Sequence, residues 1–136
     1  MTQDSLNRLS YLIISCAIRV HKELGPNLLE KIYQQCMLAE LAANGLSVAS
    51  EQLIQISYRG LQLEAQLRCD IIVNDLVVVE LKNVEYFSAL NEAQLLSYMK
   101  LLKKPKGVLI NFKCANLAKE GMKTYVNEYY RNLPKI

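Results

Sequence analysis

The sequence predicts an α/β fold in which a mixed β-sheet is flanked by helices. Apolar residues recur at helical spacing near the start, apolar strand-like runs fill the middle, and helical and strand-like segments alternate after them. The predicted order of elements is α-α-β-β-β-α-β-α. With 136 residues, the chain is expected to form one domain, residues 1–136, with a core that needs no disulfides.

Two helices are predicted at the start of the chain. The first runs from a cap at Asp4 or Ser5 to about Leu24, where a Gly-Pro pair ends it. Asn27 is the expected cap of the second helix, which spans 28–44 and ends at an Asn-Gly pair. Because the break between them is short, we expect these helices to pack against each other or against the sheet.

The middle of the chain predicts three strands. The first, over 46–57, is indicated by its run of apolar positions. An Arg-Gly turn then leads into a long strand from Leu61 through Asp70, which continues into an apolar hairpin over 69–82. An Asn-Asp turn divides this hairpin into two strands rich in Ile and Val, which favour strand structure.

The last third of the chain predicts a helix, a strand and a helix. The first helix is capped by Ser88 or Asn91 and runs to Lys103, and a proline follows shortly after it. A short buried strand spans 108–112, and the final helix covers about 117–131. The sequence contains neither an internal repeat nor a low-complexity segment.

Three charged side chains interrupt the apolar hairpin. Asp70 lies on its first strand, and Glu80 and Lys82 lie on its second, where residues two apart share a face. Charges within such a run are costly to desolvate unless they are paired. Two carboxylates that bind a hard divalent cation, with a lysine beside the attacking water, are what a metal-dependent phosphodiesterase needs. The alternative is a solvated carboxylate and a surface Glu–Lys pair on an edge strand.

The length of the hairpin loop decides whether the carboxylates converge. A two-residue loop would set Asp70 opposite Val79 and turn Glu80 to the other face. A three-residue loop over 74–76, or a bulge, restores convergence, and we therefore predict an odd loop. One face would then carry Asp70, Ile72, Val78, Glu80 and Lys82, and the other Leu67, Cys69, Ile71, Val73, Val77, Val79 and Leu81.

Four further residues are candidates for the same site. Glu30, in the first turn of the second helix, either stabilises the helix dipole or adds a third acidic group to a cation's oxygen shell. Gln94 and Tyr98 lie one helical turn apart and either contact phosphate or base edges or form the polar shoulder of an amphipathic helix. His21 is the only histidine, and a helix-end histidine is commonly a dipole partner.

The charge is distributed unevenly along the chain. The net charge of +3 combines −4 over residues 1–97 with +7 over residues 98–136. This asymmetry is what a phosphate-binding surface beside an acidic metal pocket requires, although solvated helix faces explain it equally well. The lysines concerned are Lys100, Lys103, Lys104, Lys106, Lys113, Lys119 and Lys123.

Several classes of function are excluded or disfavoured. The four cysteines lie far apart with no Cys-x-x-Cys pair, which argues against zinc and is typical of reduced, buried thiols. The apolar run 11–18 is too short to cross a membrane and lacks the flanks of a signal peptide, so the cytoplasm is the expected location. No phosphate-binding Gly-rich loop, nucleophile–histidine pair or dinucleotide fingerprint is present.

Taken together, Asp70, the Glu-Leu-Lys run 80–82 and Gln94 with Tyr98 resemble the motifs of the PD-(D/E)XK, restriction-endonuclease-like superfamily. The Gln-x-x-x-Tyr spacing is similar to that of its exonuclease branch. The stretch 20–33, VHKELGPNLLEKIY, resembles the signature of the small GxxExxY proteins. Later segments of the chain are similar to that family as well, so the resemblance covers nearly the whole sequence.

The resemblance implies a restriction-endonuclease-like core and a site for Mg²⁺ or Mn²⁺ that hydrolyses phosphodiesters. Asp70 and Glu80 would be catalytic metal ligands, Lys82 would position the water, and Glu30 would be an accessory metal ligand. Gln94, Tyr98 and His21 would belong to the substrate-binding group, although His21 is matched only through the smaller family. There are two departures from the motifs: Asn27 replaces the glycine that names that family, and Cys69 stands where the superfamily has proline.

Two functions therefore stay open at this point. The first is a nuclease that acts on nucleic acid, with DNA expected before RNA. The second is a catalytically weak or inactive nuclease-fold module that binds nucleic acid or protein. In either case a homodimer or a protein partner could supply specificity, because the chain has no separate DNA-reading domain.

Overall fold

A five-stranded mixed sheet with the strand order β1-β2-β3-β4-β5 organises the fold. The structure, a computed structural model, describes residues 1–63 and 67–136. Its elements are α1 (Gln3–Leu24), α2 (Glu30–Ala43), β1 (Val48–Tyr58), β2 (Leu61–Val73), β3 (Val77–Lys82), α3 (Ala89–Leu102), β4 (Lys106–Asn111), α4 (Leu117–Glu120), β5 (Met122–Val126) and α5 (Glu128–Arg131). The predicted α/β class is confirmed.

The sheet is mixed because α3 connects two parallel strands. Strands β3 and β4 run parallel, while β1–β2, β2–β3 and β4–β5 are antiparallel. Apolar residues of α1, α2 and one face of the sheet form one core, and α3 packs on the opposite face in a second core. Since β3 and β4 are covered on both faces, nearly all of their residues are buried, as their apolar sequences predict.

The cap residue of α1 differs from the predicted one. Thr2, rather than Asp4 or Ser5, is the cap residue, because its hydroxyl accepts the backbone N–H of Ser5 at 3.1 Å. The Ser5 hydroxyl in turn accepts the backbone N–H of Thr2 at 3.0 Å, which completes a capping box. Of the two caps predicted for α3, Ser88 and Asn91, Ser88 is the cap residue.

Helix α2 begins later than the sequence predicts, at Glu30. Asn27 is not its cap, because Asn27 has a φ of +78° and lies in the left-handed region. Leu29 occupies the cap position and provides no side-chain hydrogen bond to the helix. The consequence is that Glu30 is the first residue of the helix.

The prediction of one final helix over 117–131 is wrong. This segment forms α4, the edge strand β5 and α5. Gly121 ends α4, and the following run includes Thr124, Tyr125 and Val126, which favour strand structure. Strand β5 pairs with β4, and the side chain of Asn127 then caps α5. The available hydrogen bonds along the edge of β4 therefore outweigh the helical tendency of the segment.

In the described part of the chain, no helix is both long enough and apolar enough to cross a membrane.

Candidate active site

The hairpin between β2 and β3 has the three-residue loop that the sequence predicts. Its register pairs Ile71 with Val79 and Val73 with Val77, which leaves residues 74–76 as the loop. The first two loop residues, an Asn and an Asp, have φ angles of +51° and +56°, a conformation that these residue types tolerate.

Asp70 and Glu80 follow the last pair of this ladder and meet across it. The backbone N–H of Asp70 donates to Oε1 of Glu80 at 3.3 Å. The backbone N–H of Leu81 donates to Oδ2 of Asp70 at 2.8 Å. Side-chain carboxylates thus replace strand-to-strand backbone bonds here, and both carboxyl groups are held at the junction of two strands.

The two carboxyl groups are close enough to share a proton. Glu80 is only 4% exposed. Its burial, and next the charge of Asp70 and a hydrogen bond between the two carboxyl groups, raise the pKa of Glu80 to about 9. Such a pair is stabilised either by a proton or by a cation, and two adjoining carboxylates are the oxygen donors that Mg²⁺ and Mn²⁺ prefer. The donor set therefore fits the metal that the sequence implies.

Lys82 stands beside this pair on the same strand. Its side chain is half-buried, and its charge is felt at both Glu80 and Glu30, where it opposes the rise in pKa. Among the carboxylates that the structure describes, none forms a salt bridge with Lys82. Its ammonium group is thus close to two acidic groups without being fixed to either.

Glu30 lies at the mouth of the site rather than within it. It is exposed at the start of α2 and borders a cavity of about 200 Å³ together with Asp70 and Gln34. Partial burial, and next the charge of Asp70, raise its pKa. In the described residues, no group of three or more His, Cys, Asp or Glu side chains is gathered closely enough to hold a metal ion. The structure brings Asp70 and Glu80 together and leaves Glu30 farther out.

The two α3 candidates lie on the face of the sheet that Val78 occupies. Tyr98 is 4% exposed and packs in the core cluster with Val78. Burial, and next the charge of Glu80, raise the pKa of the Tyr98 phenol. Gln94, one turn earlier on α3, is half-buried.

His21 occupies a different place. It is buried at the end of α1, where its Nε2 lies 2.9 Å from the carbonyl oxygen of Cys114 and its ring packs near Phe112. In this position it fixes the segment that follows β4. A contact between His21 and substrate stays a prediction.

One assignment of faces is wrong. Cys69 was expected on the face opposite Ile72 and Val78, but it packs in the same cluster as both. The regular β2–β3 ladder ends after Ile71, and the backbone at Asp70 bonds to a side chain instead, so strict alternation does not extend to Cys69. Burial, and next the charge of Glu80, raise the pKa of the Cys69 thiol to about 12.

Sequence reasoning missed two residues that support the site. Gln34 donates from Nε2 to the backbone carbonyl of Asp70 at 3.1 Å and to Oε1 of Glu51 at 2.9 Å. Glu51 has a φ of +52°, unusual inside a strand, and borders the same cavity as Glu30. Gln34 follows Glu30 by four residues, so helical spacing places both on one face and could have identified it.

Tyr33 is a third supporting residue, and it holds the α1–α2 loop. Its hydroxyl donates to the carbonyl of Gly25 and accepts the backbone N–H of Leu28 at 3.1 Å. Its ring stacks on Phe112 with a centroid separation of 4.2 Å. Asn83, next to Lys82, donates to the carbonyl of Leu28 at 3.0 Å. The loop that precedes Glu30 is therefore tied to the strand that carries Lys82.

A mixed sheet flanked by helices, with an acidic residue and Glu-x-Lys on adjacent strands, defines the class of restriction-endonuclease-like proteins. A family model described as the PD-(D/E)XK nuclease superfamily matches residues 7–125, and the chain belongs to this superfamily. The matched region contains every site residue discussed above. Comparisons with curated proteins and with solved structures each found no match.

Proposed function

We propose that this protein is a metal-dependent nuclease that hydrolyses phosphodiester bonds, with DNA rather than RNA as its substrate. The observation that carries the proposal is the contact between Asp70 and Glu80, with Lys82 two residues farther along the same strand. Membership of a nuclease superfamily supports the reaction class. Two adjoining carboxyl groups, of which Glu80 is only 4% exposed, are unfavourable for stability, so their presence at the junction of two strands supports a functional role.

Asp70 and Glu80 would hold Mg²⁺ or Mn²⁺, and Glu30 would add an oxygen from the mouth of the site. When bound, the ion would stabilise charge on the phosphate and make a water molecule more acidic. The fit of the site rests on the two adjoining carboxyl groups, because loss of the proton that burial and the charge of Asp70 keep on Glu80 leaves two anionic oxygen donors side by side.

The chain's own residues would supply the remaining functions. The ammonium group of Lys82, free of any salt bridge to a described carboxylate, can donate hydrogen bonds to the attacking water or to a phosphate oxygen. Tyr98 and Gln94 on α3 would line the part of the site that contacts the substrate. Gln34, through the backbone of Asp70, and Tyr33, through the α1–α2 loop, act as positioning residues.

The test is cleavage of plasmid and oligonucleotide DNA in magnesium, combined with direct measurement of Mn²⁺ binding. Glu80→Gln is expected to abolish both binding and cleavage, and Lys82→Ala to abolish cleavage while Mn²⁺ still binds. Glu128→Gln and Lys22→Ala, which change exposed residues, are matched controls with unchanged activity. Well-folded protein that binds no Mn²⁺ at millimolar concentration and cleaves neither DNA nor RNA would refute the proposal.

Within the superfamily, we assign the chain to the GxxExxY proteins. Glu30 and Tyr33 match the last two positions of that motif, and Asn27 stands at its glycine. The φ of +78° at Asn27 supports the match, because the position requires the left-handed conformation that glycine adopts most readily and asparagine tolerates. Asn27→Gly is therefore expected to fold and to retain activity, as measured by thermal unfolding and DNA cleavage.

One observation favours the second function, a module that binds nucleic acid or protein without cutting. In the described part of the chain, acidic side chains do not assemble a three-ligand metal group. A binding module would retain its affinity without metal and in the Lys82→Ala variant, and would cleave no substrate. Its specificity would come from a homodimer or a protein partner, and the mass of the particle in solution distinguishes these from a monomer.

A further inference from the structure

A second cleft opens beside the candidate active site. This side cleft, with a volume of about 630 Å³, lies between the loop that follows β3, the end of β4 and the edge strand β5. Its lining includes two aromatic residues, one amide, two lysines and a glutamate: Tyr86, Phe87, Asn111, Lys113, Lys123 and Glu85. The proposed function has so far used none of these residues.

The register of the sheet places the side cleft on the same face as the active site. Glu80 pairs with Leu109 of β4, and Leu109 pairs with Lys123 of β5. Directly paired residues share a face of a sheet, so Lys123 and Glu80 lie on one face with a single strand between them, about 10 Å apart across the sheet. Lys82 in turn pairs with Asn111, which lines the side cleft.

The loop that leads from Lys82 into the side cleft is clamped. The amide of Asn111 accepts the backbone N–H of Val84 at 3.1 Å and donates to the carbonyl of the same residue at 2.6 Å. Phe87 packs against the α3 core and anchors the far end of the loop. Between these two attachments, Tyr86 is 85% exposed. An exposed aromatic ring on a fixed loop is a suitable stacking platform for a nucleobase.

The two lysines of the side cleft are held in place by weak ion pairs. Lys113 Nζ lies 2.7 Å from Oε1 of Glu85, and Lys123 Nζ lies 2.9 Å from Oε1 of Glu92. The four side chains are 33–74% exposed, and ion pairs at such positions contribute little to stability, so a phosphate can replace the carboxylates at the lysines; Glu92 would then keep its hydrogen bond from the hydroxyl of Tyr125, at 2.6 Å. Glu120, also in the lining, is already the acceptor for the backbone N–H of Asn116.

Two further lysines of the C-terminal part have partners away from the side cleft. Lys104 is paired with Asp75 at 2.6 Å. Lys106 is buried and donates to Oδ1 of Asn7 at 2.7 Å. With Lys113 and Lys123 of the side cleft, four of the seven lysines considered for a phosphate-binding surface therefore have a side-chain partner. Lys113 and Lys123 thus bring two basic side chains to the cleft that also carries the exposed ring of Tyr86, and this combination suits a short, unpaired stretch of strand.

We propose that the side cleft binds an unpaired nucleotide of a single DNA strand that adjoins the scissile phosphate, with its base stacked on Tyr86 and its phosphate held by Lys113 and Lys123. This inference rests on the proposed function, since the same strand must reach Lys82. It defines the substrate as single-stranded DNA or the frayed end of a duplex.

The absence of tryptophan from the sequence allows a direct test. Tyr86→Trp introduces a single indole into the full chain, and Tyr11→Trp places one at a comparably exposed tyrosine on α1, 75% exposed, as the matched control. Each variant is titrated with a single-stranded DNA oligonucleotide and with the blunt duplex of the same sequence, without added metal. We expect the single strand to quench the fluorescence of Tyr86→Trp and to leave that of Tyr11→Trp unchanged. Equal quenching in both variants, or none in Tyr86→Trp, would overturn the inference.

Affinity measured by fluorescence anisotropy provides the second readout. Tyr86→Ala is expected to weaken binding of the single strand about tenfold, the size of one base–aromatic stack, while Tyr86→Phe binds as the wild type does. Lys123→Ala should weaken binding and reduce its dependence on salt. If duplex binding falls equally in Tyr86→Ala, the side cleft does not select unpaired DNA and the inference is wrong. Cleavage of DNA in magnesium is measured separately on the wild type and on Tyr86→Ala. If the single strand stacks on residue 86 but the wild type cleaves nothing, only the proposed function is contradicted. If Tyr86→Ala binds and cleaves the single strand as the wild type does, only this inference is contradicted.

Discussion

Asp70 and Glu80 each accept, through a side-chain oxygen, a backbone N–H from the opposite strand of the hairpin: Glu80 accepts that of Asp70 itself, and Asp70 accepts that of Leu81. The two carboxyl groups are thus built into the hydrogen bonding of the sheet as well as into the site. Because the sheet fixes them, they are placed before any ligand binds. The same arrangement holds two acidic groups side by side, with Glu80 buried and Asp70 half-buried. Their repulsion, together with the burial of Glu80, determines how stability should respond to substitution and pH.

Replacing Glu80 with Gln should stabilise the metal-free protein while abolishing cleavage. The amide of Gln is neutral at every pH, can still accept the N–H of Asp70 and can donate to the Asp70 carboxylate. At pH 8 we expect the free energy of unfolding, measured in urea without metal, to rise by more than about 1 kcal/mol, roughly the equivalent of one pKa unit. Glu128→Gln, an exposed change, is the control and should leave stability unchanged. A loss of stability in Glu80→Gln would show that the carboxyl pair is not a source of strain.

Without metal, the stability of the wild type should fall as pH rises from about 4.5 to about 9. The pKa of Glu80 is raised in the folded protein, chiefly by burial and next by Asp70, so the folded state holds a proton that the unfolded state has lost. The stabilising contribution is therefore complete below the ordinary value of 4.5 and disappears as pH passes through the folded-state pKa. Thermal unfolding at a series of pH values measures this slope.

The pH dependence has its own control. Glu80→Gln lacks the titrating group, so its stability should change less across the same pH range. Adding Mn²⁺ should stabilise the wild type more at pH 8 than at pH 6, because metal binding has to displace the shared proton. A wild-type profile as flat as that of Glu80→Gln would contradict the account of a shared proton.

The sequence was sufficient to predict those features that depend on local pattern. The three-residue hairpin loop followed from the requirement that Asp70 and Glu80 converge, and strand period alone decides that geometry. A cap at Ser88 or Asn91 followed from residue types that favour helix starts, and Ser88 is the cap. Both features are set by residues close together in the chain, and both are confirmed.

Features that depend on distant partners could not be predicted in this way. The pattern after residue 117 predicts a helix, but the run that includes Thr124, Tyr125 and Val126 pairs with the edge of β4 and forms a strand. Cys69 departs from alternation because the carboxylate of Glu80, eleven residues away, interrupts the ladder beside it. Helical spacing places Gln34 on one face with Glu30, but its contact with the backbone of Asp70 depends on how α2 lies on the sheet.

Tyr33→Phe should loosen the α1–α2 loop and lower activity without removing it. The change keeps the stack on Phe112 but removes the hydroxyl that bonds to Gly25 and Leu28. Unpaired backbone groups of this kind cost about 1–3 kcal/mol, which urea unfolding measures. Hydrogen exchange should become faster at residues 25–30, and Mn²⁺ should still bind. Tyr11→Phe is the matched control; unaltered exchange in the loop of Tyr33→Phe would show that the hydroxyl does not position Glu30.

Gly121→Ala should destabilise the protein more than Gly107→Ala and should weaken the side cleft. A Cβ at Gly121 would lie 2.8 Å from the backbone carbonyl oxygen of Asn111 and equally close to Sγ of Cys114 and Cδ1 of Leu117; the side chains can shift, but the backbone oxygen can move only with β4. A Cβ at Gly107 would lie 2.6 Å from Sδ of Met99, a flexible side chain that can shift. We expect Gly107→Ala to lower the free energy of unfolding by about 1–3 kcal/mol, typical of overpacking, and Gly121→Ala to lower it by more.

Because Asn111 holds the loop that carries Tyr86, Gly121→Ala should also weaken binding of single-stranded DNA. Urea unfolding and anisotropy on both variants check the order, and a larger loss for Gly107→Ala would mean that β5 yields more easily than the α3 core.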